Sequence, residues 1–383
     1  MLIRNSIKPI AIIGGGISGL TAGVTLAKQG IDSIVFERDE TLNKNGSGTT
    51  ISKNALDLLE RLDVLGQLQK ESFKTDKIII KSGKNKITEL SPNILYTTRQ
   101  NITEILAESY IKLGGQIFYG HNFKFFNEDK KELVFENESK YLVSHVLACD
   151  GINSKLREKY FTKNEKAIFS GFNAWRGVTK EMAIDSAEMH YGPNAHLVTY
   201  PINKSLDRCF IGIIKSKNNL DESWMQKGSA NEVLNDFESF DDSVFPILKN
   251  STDLYKWGIY IRPPLKKLFV ENITLLGDAA HPMVPFLGQG GCMAIEDAYT
   301  FGVLLKTLNN DFARTQLIYN KIRIKRVNSI QKLSMRIATI NHLSNPVLVG
   351  SRNIIMKYSK IAQLAQRKLH DHKAHEAIYK NLN

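Results

Sequence analysis

The chain has 383 residues, of which 42% are hydrophobic and 23% are charged, and its formal net charge is +12. This length allows two or three domain-sized units with a large core, and three cysteines are too few for a disulfide framework. No apolar run reaches the roughly 18 residues that a membrane span needs, and no signal peptide is evident, so we expect a cytoplasmic protein.

The basic excess includes no Lys/Arg block longer than a few residues, and we interpret it as spread along the chain. Its densest stretch, residues 321–326, is predicted to be the solvated face of a helix. Since no nucleic-acid-binding motif accompanies it, we expect no nucleic-acid partner.

The first predicted elements form a strand–turn–helix–strand unit. Residues 9–13 are a short apolar run, residues 20–29 have helical spacing, and residues 33–37 are typical of a second strand. A glycine-rich turn separates the first strand from the helix. This order is typical of a βαβ nucleotide-binding unit.

The turn has the pattern Gly14-x-Gly16-x-x-Gly19. The first glycine permits a tight turn, the second admits a pyrophosphate, and the third allows close helix–strand packing. Glu37 follows at the end of the second strand, where a carboxylate can accept hydrogen bonds from ribose hydroxyls and would repel a 2′-phosphate. The unit therefore predicts a site for FAD or NAD, and not for NADP.

Further along the chain, helices and strands alternate in blocks. In chain order we predict a helix at 54–68, a hairpin at 77–90, a helix at 100–113, short antiparallel strands at 119–147, a strand-rich section at 171–262 with a helix within 225–240, a buried strand at 269–276, a helix at 292–308 and a helical tail beyond 311 that is broken only near 345–346.

The predicted fold class is α/β: a discontinuous Rossmann-like FAD-binding domain with an inserted β-rich substrate domain and a C-terminal helical segment. We assign residues 1–75, 99–170 and 269–340 to the nucleotide-binding domain. Residues 76–98 and 171–268 form the substrate domain, and residues 341–383 form the tail.

Two later motifs distinguish FAD from NAD. Asp278 directly follows a buried strand, where its carboxylate suits a sugar or ribityl hydroxyl. The turn that starts at Pro285 and includes Gly288, Gly290 and Gly291 opens into a helix, so its N-terminus can face a second negative charge, such as the edge of a reduced flavin. A plain NAD dehydrogenase needs only one such terminus. In addition, Asp150 closes another strand.

In this order and spacing, the motifs resemble those of the class A flavoprotein monooxygenases, the p-hydroxybenzoate hydroxylase family. The nearest resemblance is to salicylate, 6-hydroxynicotinate and 3-hydroxybenzoate hydroxylases and to zeaxanthin epoxidases. The resemblance covers residues 9–308. It implies that FAD is bound by Gly14, Gly16, Ser18, Gly19, Glu37, Arg38, Arg99, Asp150, Asp278, Pro285, Gly288, Gly290 and Gly291.

The resemblance also implies the reaction. NADH or NADPH reduces FAD, O2 adds at flavin C4a, and the hydroperoxide transfers one oxygen to an aromatic, phenolic or N-heteroaromatic substrate. The nicotinamide cofactor docks transiently, because the chain has no second fingerprint. No metal is expected, since the histidines lack metal-ligand spacing. The expected partners are a small aromatic or polyketide-like substrate and O2, with the protein a monomer or homodimer.

His196 and Tyr200 are the catalytic candidates. They lie four residues apart on a predicted strand, so both side chains can face one pocket. The pair resembles one in 3-hydroxybenzoate and 6-hydroxynicotinate hydroxylases, which implies that His196 is a base for the substrate hydroxyl. The alternative is a histidine hydrogen-bonded within the sheet. Phe286, where urate hydroxylases have an acid, is expected to make the pocket wall apolar.

Three other functions stay open. Within the same fold, an alkene epoxidase or a monooxygenase that inactivates a tetracycline-type polyketide has the same cofactor motifs. From another class, the chain is compatible with a flavoprotein that senses redox state or binds a partner without turnover.

Overall fold

The computed structural model describes residues 8–42, 47–75, 77–163, 165–180, 182, 184–222 and 226–382. The strands are β1 (Ile10–Ile13), β2 (Ser33–Phe36), β3 (Gly48–Ser52), β4 (Phe73–Thr75), β5 (Ile78–Ser82), β6 (Asn85–Leu90), β7 (Ile94–Thr98), β8 (Gln116–Phe118), β9 (Phe123–Asn127), β10 (Glu132–Phe135), β11 (Lys140–Leu142), β12 (His145–Ala148), β13 (Ile168–Thr179), β14 (Ala187–Gly192), β15 (Ala195–Pro201), β16 (Arg208–Lys215), β17 (Thr252–Ile261), β18 (Phe269–Val270) and β19 (Ile273–Leu275). The helices are α1 (Ile17–Lys28), α2 (Lys53–Arg61), α3 (Leu65–Glu71), α4 (Arg99–Lys112), α5 (Lys155–Arg157), α6 (Ala230–Asp236), α7 (Phe245–Lys249), α8 (Gly290–Thr307), α9 (Phe312–Asn341), α10 (Pro346–Tyr358), α11 (Ile361–His370) and α12 (Ala374–Leu382).

The first large sheet has six strands in the order β18-β19-β12-β1-β2-β8. Every pairing except β18 with β19 is parallel. All residues of β1 and β12 are buried, because these strands lie inside the sheet with helices packed over it. Helix α1 packs against both α4 and α8. The parallel arrangement brings the carboxyl ends of β1, β2 and β12 to one edge, where the predicted motifs lie.

The second large sheet has seven strands in the order β17-β13-β16-β15-β14-β5-β6. It is antiparallel except where β14 pairs with β5. The hairpin β5–β6 therefore joins a sheet whose other strands come much later in the chain. Helices α6 and α7 cover one face through an apolar cluster around Trp175, Phe210 and Phe237.

Helix α9 connects the two halves of the molecule. Its 30 residues make it about 45 Å long, and it packs against α8 and against the short 3-10 turn Pro285–Leu287. Among the described residues, no helix has the combined length and apolar character needed to cross a bilayer.

Three predicted elements are wrong in their continuity. The single helix predicted at 54–68 is two helices, because Asp63 adopts φ +58° between α2 and α3. The strand predicted at 269–276 is the antiparallel pair β18–β19, which turns at Glu271 with φ +48°. The helical tail is also interrupted between α10 and α11 and between α11 and α12. The helix predicted within 225–240 is α6, while Met225 lies outside the described residues.

Candidate functional site

The glycine turn after β1 leaves a free space beside its backbone. Gly14 adopts φ +108°, and a Cβ there would lie 2.4 Å from the carbonyl oxygen of Cys149, so only glycine fits. A Cβ at Gly16 would meet no atom within 4 Å. Ser18 and Gly19 lie in the first turn of α1, whose free N–H groups face this space. The turn can therefore receive an anion from the open side.

Glu37 lies just after β2 and its carboxylate turns toward the glycines. Its Oε2 accepts a hydrogen bond from the Gly15 N–H at 2.6 Å, and its Oε1 accepts one from the Asp39 N–H at 3.0 Å. Arg38 is exposed beside it. One cavity of about 240 Å³ is lined by these residues, by Arg99 at the start of α4 and by the segment 149–151 after β12. The nucleotide-side candidates thus meet at the carboxyl edge of the parallel sheet.

Two buried polar atoms near the glycine turn make no hydrogen bond within the described residues. Oδ1 of Asp150 and Oγ of Ser18 are buried and find no hydrogen-bond partner among the described residues. The other Asp150 oxygen accepts from the Leu156 N–H at 3.3 Å, and burial raises the pKa of Asp150. Because buried polar atoms are nearly always hydrogen-bonded, these two atoms fit a polar ligand such as the phosphate and sugar groups of FAD.

A second cavity of about 270 Å³ continues from the first. The two share Gly16, Arg99, Cys149 and Gly151 as lining residues, so one extended ligand can occupy both. On the side of the six-stranded sheet, the second cavity is lined by Asp278, Pro285, Gly288, Gly290 and Gly291; on the side of the seven-stranded sheet, it is lined by Tyr200, Ile211, Trp257, Ile259 and Tyr260.

The turn before α8 places backbone N–H groups at this second cavity. The 3-10 turn Pro285–Leu287 ends at Gly288, which has φ +62°. A Cβ at Gly288 would lie 2.7 Å from Oγ1 of Thr50. Helix α8 then begins at Gly290, and its positive N-terminal end faces the cavity that Asp278 also lines. This arrangement suits the negatively charged edge of a reduced flavin.

Behind the turn lies a charged cluster, which we define as Glu296, Asp297, Arg323 and Arg326. The side chains of Glu296, Asp297 and Arg323 are fully buried. Arg323 Nε donates to Asp297 at 2.6 Å, and a second guanidinium nitrogen pairs with Glu296. Arg326 donates to Glu296 at 2.6 and 2.7 Å. Burial alone would raise the pKa of Glu296, but Arg323 and Arg326 together lower it to about 2.

The charged cluster holds the cofactor-side turns through direct hydrogen bonds. Asp297 accepts from the Gly277 N–H at 2.9 Å, which orients the turn that carries Asp278. The same Asp297 oxygen, Oδ2, lies 2.5 Å from Nε2 of His281. Asn54 donates to Glu296 at 2.7 Å and to Gln289 at 3.3 Å, linking the cluster to the residue that precedes α8. The prediction that residues 321–326 form a solvated face is wrong for Arg323, because two acids on α8 pull its guanidinium into the core.

The structure separates the two catalytic candidates. Both lie on β15 and both are buried, but Tyr200 lines the second cavity and His196 does not. Residues four apart on a strand are about 13 Å apart, so β15 reaches the cavity at Tyr200 and the end of α9 at His196. The Tyr200 ring lies 5.0 Å from that of Tyr96, and burial raises the pKa of Tyr200 well above its ordinary value.

His196 pairs with a residue that the sequence analysis missed. Its Nδ1 lies 2.9 Å from Nε2 of His342, at the C-terminal end of α9, and its ring contacts Phe286 edge-on. Burial lowers the pKa of His342 to about 4 and that of His196 well below its ordinary value. Phe286 packs into the core beside this pair, whereas Pro285 lines the cavity. No local pattern marks His342, because its partner is 146 residues away.

Comparison with known proteins places this geometry among flavoenzymes. A family model described as FAD binding domain matches residues 8–333. The chain is 27% identical to 3-amino-4-hydroxybenzoate 2-monooxygenase PtmB3 of Streptomyces platensis, over 87% of this chain and 88% of that protein. It is 25% identical to 3-hydroxybenzoate 6-hydroxylase of Klebsiella oxytoca, over 90% of this chain and 91% of that protein. The crystal structure of Klebsiella pneumoniae HpxO complexed with FAD and uric acid shares the fold, with a TM-score of 0.83, 19% identity and coverage of 95% of this chain and 96% of that one.

Proposed function

Because the chain belongs to the FAD binding domain family and is an FAD-dependent monooxygenase, we propose that it hydroxylates a small phenolic or N-heteroaromatic compound with NADH or NADPH as reductant. The resemblance to the class A flavoprotein monooxygenases, the α/β fold class and the FAD cofactor are confirmed by these comparisons. The substrate and the roles of individual residues belong to the proposal.

The observation that carries the proposal is that residues from both large sheets line the second cavity. The turn at the start of α8 and Asp278 form one side, and Trp257, Tyr260 and Ile211 form the other. A flavin held by the first side would face a small, largely apolar space bounded by aromatic rings. Such a space favours a planar aromatic substrate, because ring stacking and apolar burial both stabilise it.

When bound, FAD would accept a hydride from NAD(P)H and activate O2 for transfer to the substrate. In the proposal, Glu37 binds the ribose, Asp150 and Ser18 bind the polar middle of FAD, and the α8 N-terminus stabilises the negative flavin edge. Apolar residues of the seven-stranded sheet exclude water from the reacting carbon. Tyr200 stays protonated, since its pKa is raised, and can donate its O–H to a substrate oxygen.

The base role predicted for His196 requires its ring to reach the substrate hydroxyl. That ring is buried, does not line the second cavity and pairs with His342, so we propose the alternative role, a histidine hydrogen-bonded inside the protein. The contact couples the proton positions of the two rings, because one member of the pair must donate and the other accept.

Substrate-dependent NAD(P)H oxidation tests the proposed function. The purified flavoprotein is assayed with a panel of phenolic acids, hydroxypyridines and tetracycline-type polyketides, with hydrogen peroxide and hydroxylated product measured together. We expect one aromatic compound to accelerate NAD(P)H oxidation with product formed in near-equal amount. A slow rate indifferent to every addition would contradict the proposal and favour a redox sensor. Stimulation by a polyketide alone would favour the alternative substrate class.

Two variants test the residue roles. Glu37→Ala should lower the FAD content of the purified protein, with the exposed neighbour Glu40→Ala as the matched control; equal FAD in both variants would remove Glu37 from the ribose role. His196→Ala should lower the stability of the protein and leave hydroxylation coupled to NAD(P)H oxidation, because the ring does not line the second cavity. Uncoupled NAD(P)H oxidation with normal flavin reduction in His196→Ala would instead support the base role.

A further inference from the structure

Helices α10 and α11 turn an apolar face toward solvent. Within the described residues, seven large hydrophobic side chains between 347 and 364 are at least half exposed, with Val347 at 74% and Tyr358 at 77%. The members of this apolar face are Val347, Leu348, Ile354, Ile355, Tyr358, Ile361 and Leu364. On α10 they recur at intervals of three, four and seven residues, so they form one stripe along the helix.

The opposite side of α10 is anchored to the seven-stranded sheet, which fixes the stripe outward. Arg352 is 6% exposed, lies 4.2 Å from the centre of the Tyr191 ring and donates to the Ile340 carbonyl oxygen at 3.2 Å. Met356 packs on the cluster of Ile80 and Tyr191. The helix thus buries a cation and exposes its aliphatic side chains, the reverse of an ordinary surface helix.

The segment from α9 to α11 holds the whole charge excess, and five of its basic residues lie on α10 and α11 or between them. Residues 312–370 contain 12 Lys and Arg and no Asp or Glu, so the rest of the chain has 39 basic against 39 acidic residues. The interpretation of the excess as spread along the chain is therefore wrong. Beside the apolar face, Lys357, Lys360, Arg367 and Lys368 are exposed.

We propose that the apolar face is a docking surface for an anionic phospholipid bilayer, on which α10 and α11 lie in the plane of the interface. Apolar side chains flanked by Lys and Arg on one surface are the pattern of interfacial helices, and anionic headgroups attract the basic residues. Helix α10 has 13 residues and is about 20 Å long, shorter than the roughly 30 Å of a hydrocarbon core. Pairing with a second copy of this face would place like charges opposite each other, which disfavours a dimer there.

Vesicle flotation with the full-length, FAD-loaded protein tests the proposal. We compare vesicles of phosphatidylcholine alone with vesicles containing about one-third phosphatidylglycerol. We expect the bound fraction to be at least about tenfold higher on the anionic vesicles and to fall steeply at about 0.5 M NaCl, because salt screens the attraction.

Matched variants separate the apolar and basic contributions. The double variant Ile354→Ser/Leu364→Ser should lower binding about tenfold or more, since two large side chains no longer enter the bilayer. The control Leu142→Ser/Ile168→Ser changes two residues that are 54% and 52% exposed elsewhere, and it should bind like the parent. Lys357→Glu/Lys360→Glu should abolish the preference for anionic vesicles, while Lys124→Glu/Lys130→Glu, at exposed sites far along the chain, should keep most of it.

Three outcomes would overturn the proposal. The first is equal binding to neutral and anionic vesicles, and the second is equal loss of binding in the apolar variant and its control. The third is a dimer in sedimentation velocity that disappears in Ile354→Ser/Leu364→Ser without any vesicle binding by the parent, which would make a second copy the occupant. FAD content, measured on the same preparations, shows whether a variant is folded. NAD(P)H oxidation tests the proposed function, and its outcome does not depend on vesicle binding.

Discussion

Helix α9 takes part in two buried polar sites that solve the same physical problem in different ways. In its first half, Arg323 and Arg326 neutralise Glu296 and Asp297 within the charged cluster. At its C-terminal end, His342 pairs with His196, and both imidazoles are neutral at pH 7 because burial lowers the pKa of each. A buried group either keeps its charge with enough partners or gives the charge up.

The two sites also support different halves of the proposed active site. The charged cluster holds the Gly277 and Gln289 turns that face the cofactor. The histidine pair lies behind Phe286, beneath the sheet that bounds the substrate side. We infer that the carboxylates of the charged cluster stay ionised in mildly acidic solution, because the pKa values of Glu296 and Asp297 are lowered, while protonation of the histidine pair would disturb the packing around Phe286.

The largest expected effect comes from removing the central cation. Arg323→Met should lower the free energy of unfolding by about 3–5 kcal/mol, because Glu296 and Asp297 would remain buried with too few partners. Urea unfolding followed by circular dichroism measures the loss. The control is Arg336→Met, an exposed position on the same helix, for which we expect a change within about 0.5 kcal/mol. Equal effects of the two substitutions would mean that the charged cluster contributes nothing special.

A smaller effect is expected where the charged cluster meets the turn before α8. Asn54→Leu leaves buried oxygens of Glu296 and Gln289 without the amide donor, which should cost about 1–3 kcal/mol of unfolding free energy and weaken FAD binding. FAD release on dilution is measured by fluorescence. Asn137→Leu, which removes an exposed amide that donates to the Gly120 carbonyl oxygen away from both cavities, is the control. Unchanged FAD affinity in Asn54→Leu would break the link between the cluster and the cofactor site.

Acidification distinguishes the two sites most directly. The folded pKa of His342 is about 4, below its value of 6.5 in the unfolded chain, so its contribution to stability is complete above pH 6.5 and is lost as the pH falls toward 4. Each such histidine should lower the unfolding free energy by about 1.4 kcal/mol per pH unit in that window. The folded pKa of Glu296 is about 2 against 4.5 unfolded, so its contribution is lost only between pH 4.5 and 2.

The measurement compares the parent protein with His342→Phe in urea titrations at several pH values between 7 and 5. We expect a shallower pH dependence in His342→Phe, since one titrating group is absent, and no change of slope in Glu296→Gln over the same window. Other buried histidines such as His145 titrate in both proteins and cancel in the difference. Parallel curves for the parent and His342→Phe would show that the histidine pair does not titrate on unfolding.

Much of the cofactor site could be predicted because its signals are local. A tight turn that requires glycine at Gly14, a carboxylate after a strand at Glu37 or Asp278, and a glycine turn that opens a helix at Gly290 each depend on a few consecutive residues. Parallel pairing then brings the strand ends together without further information from the sequence. The breaks at Asp63 and Glu271 were not predicted, because a single residue with positive φ leaves the hydrophobic periodicity on either side of it intact.

By itself, the sequence determined the α/β fold class, the order of the strand and helix blocks and the residues at the nucleotide turns, because short-range periodicity and turn chemistry encode them. Only the tertiary structure decided that Arg323 is buried between two acids, that His196 faces His342 while Tyr200 reaches the cavity, and that α10 turns its aliphatic side chains outward. These features depend on which distant segments pack together, and hydrophobic periodicity indicates that a helix has two faces without showing which one meets the core.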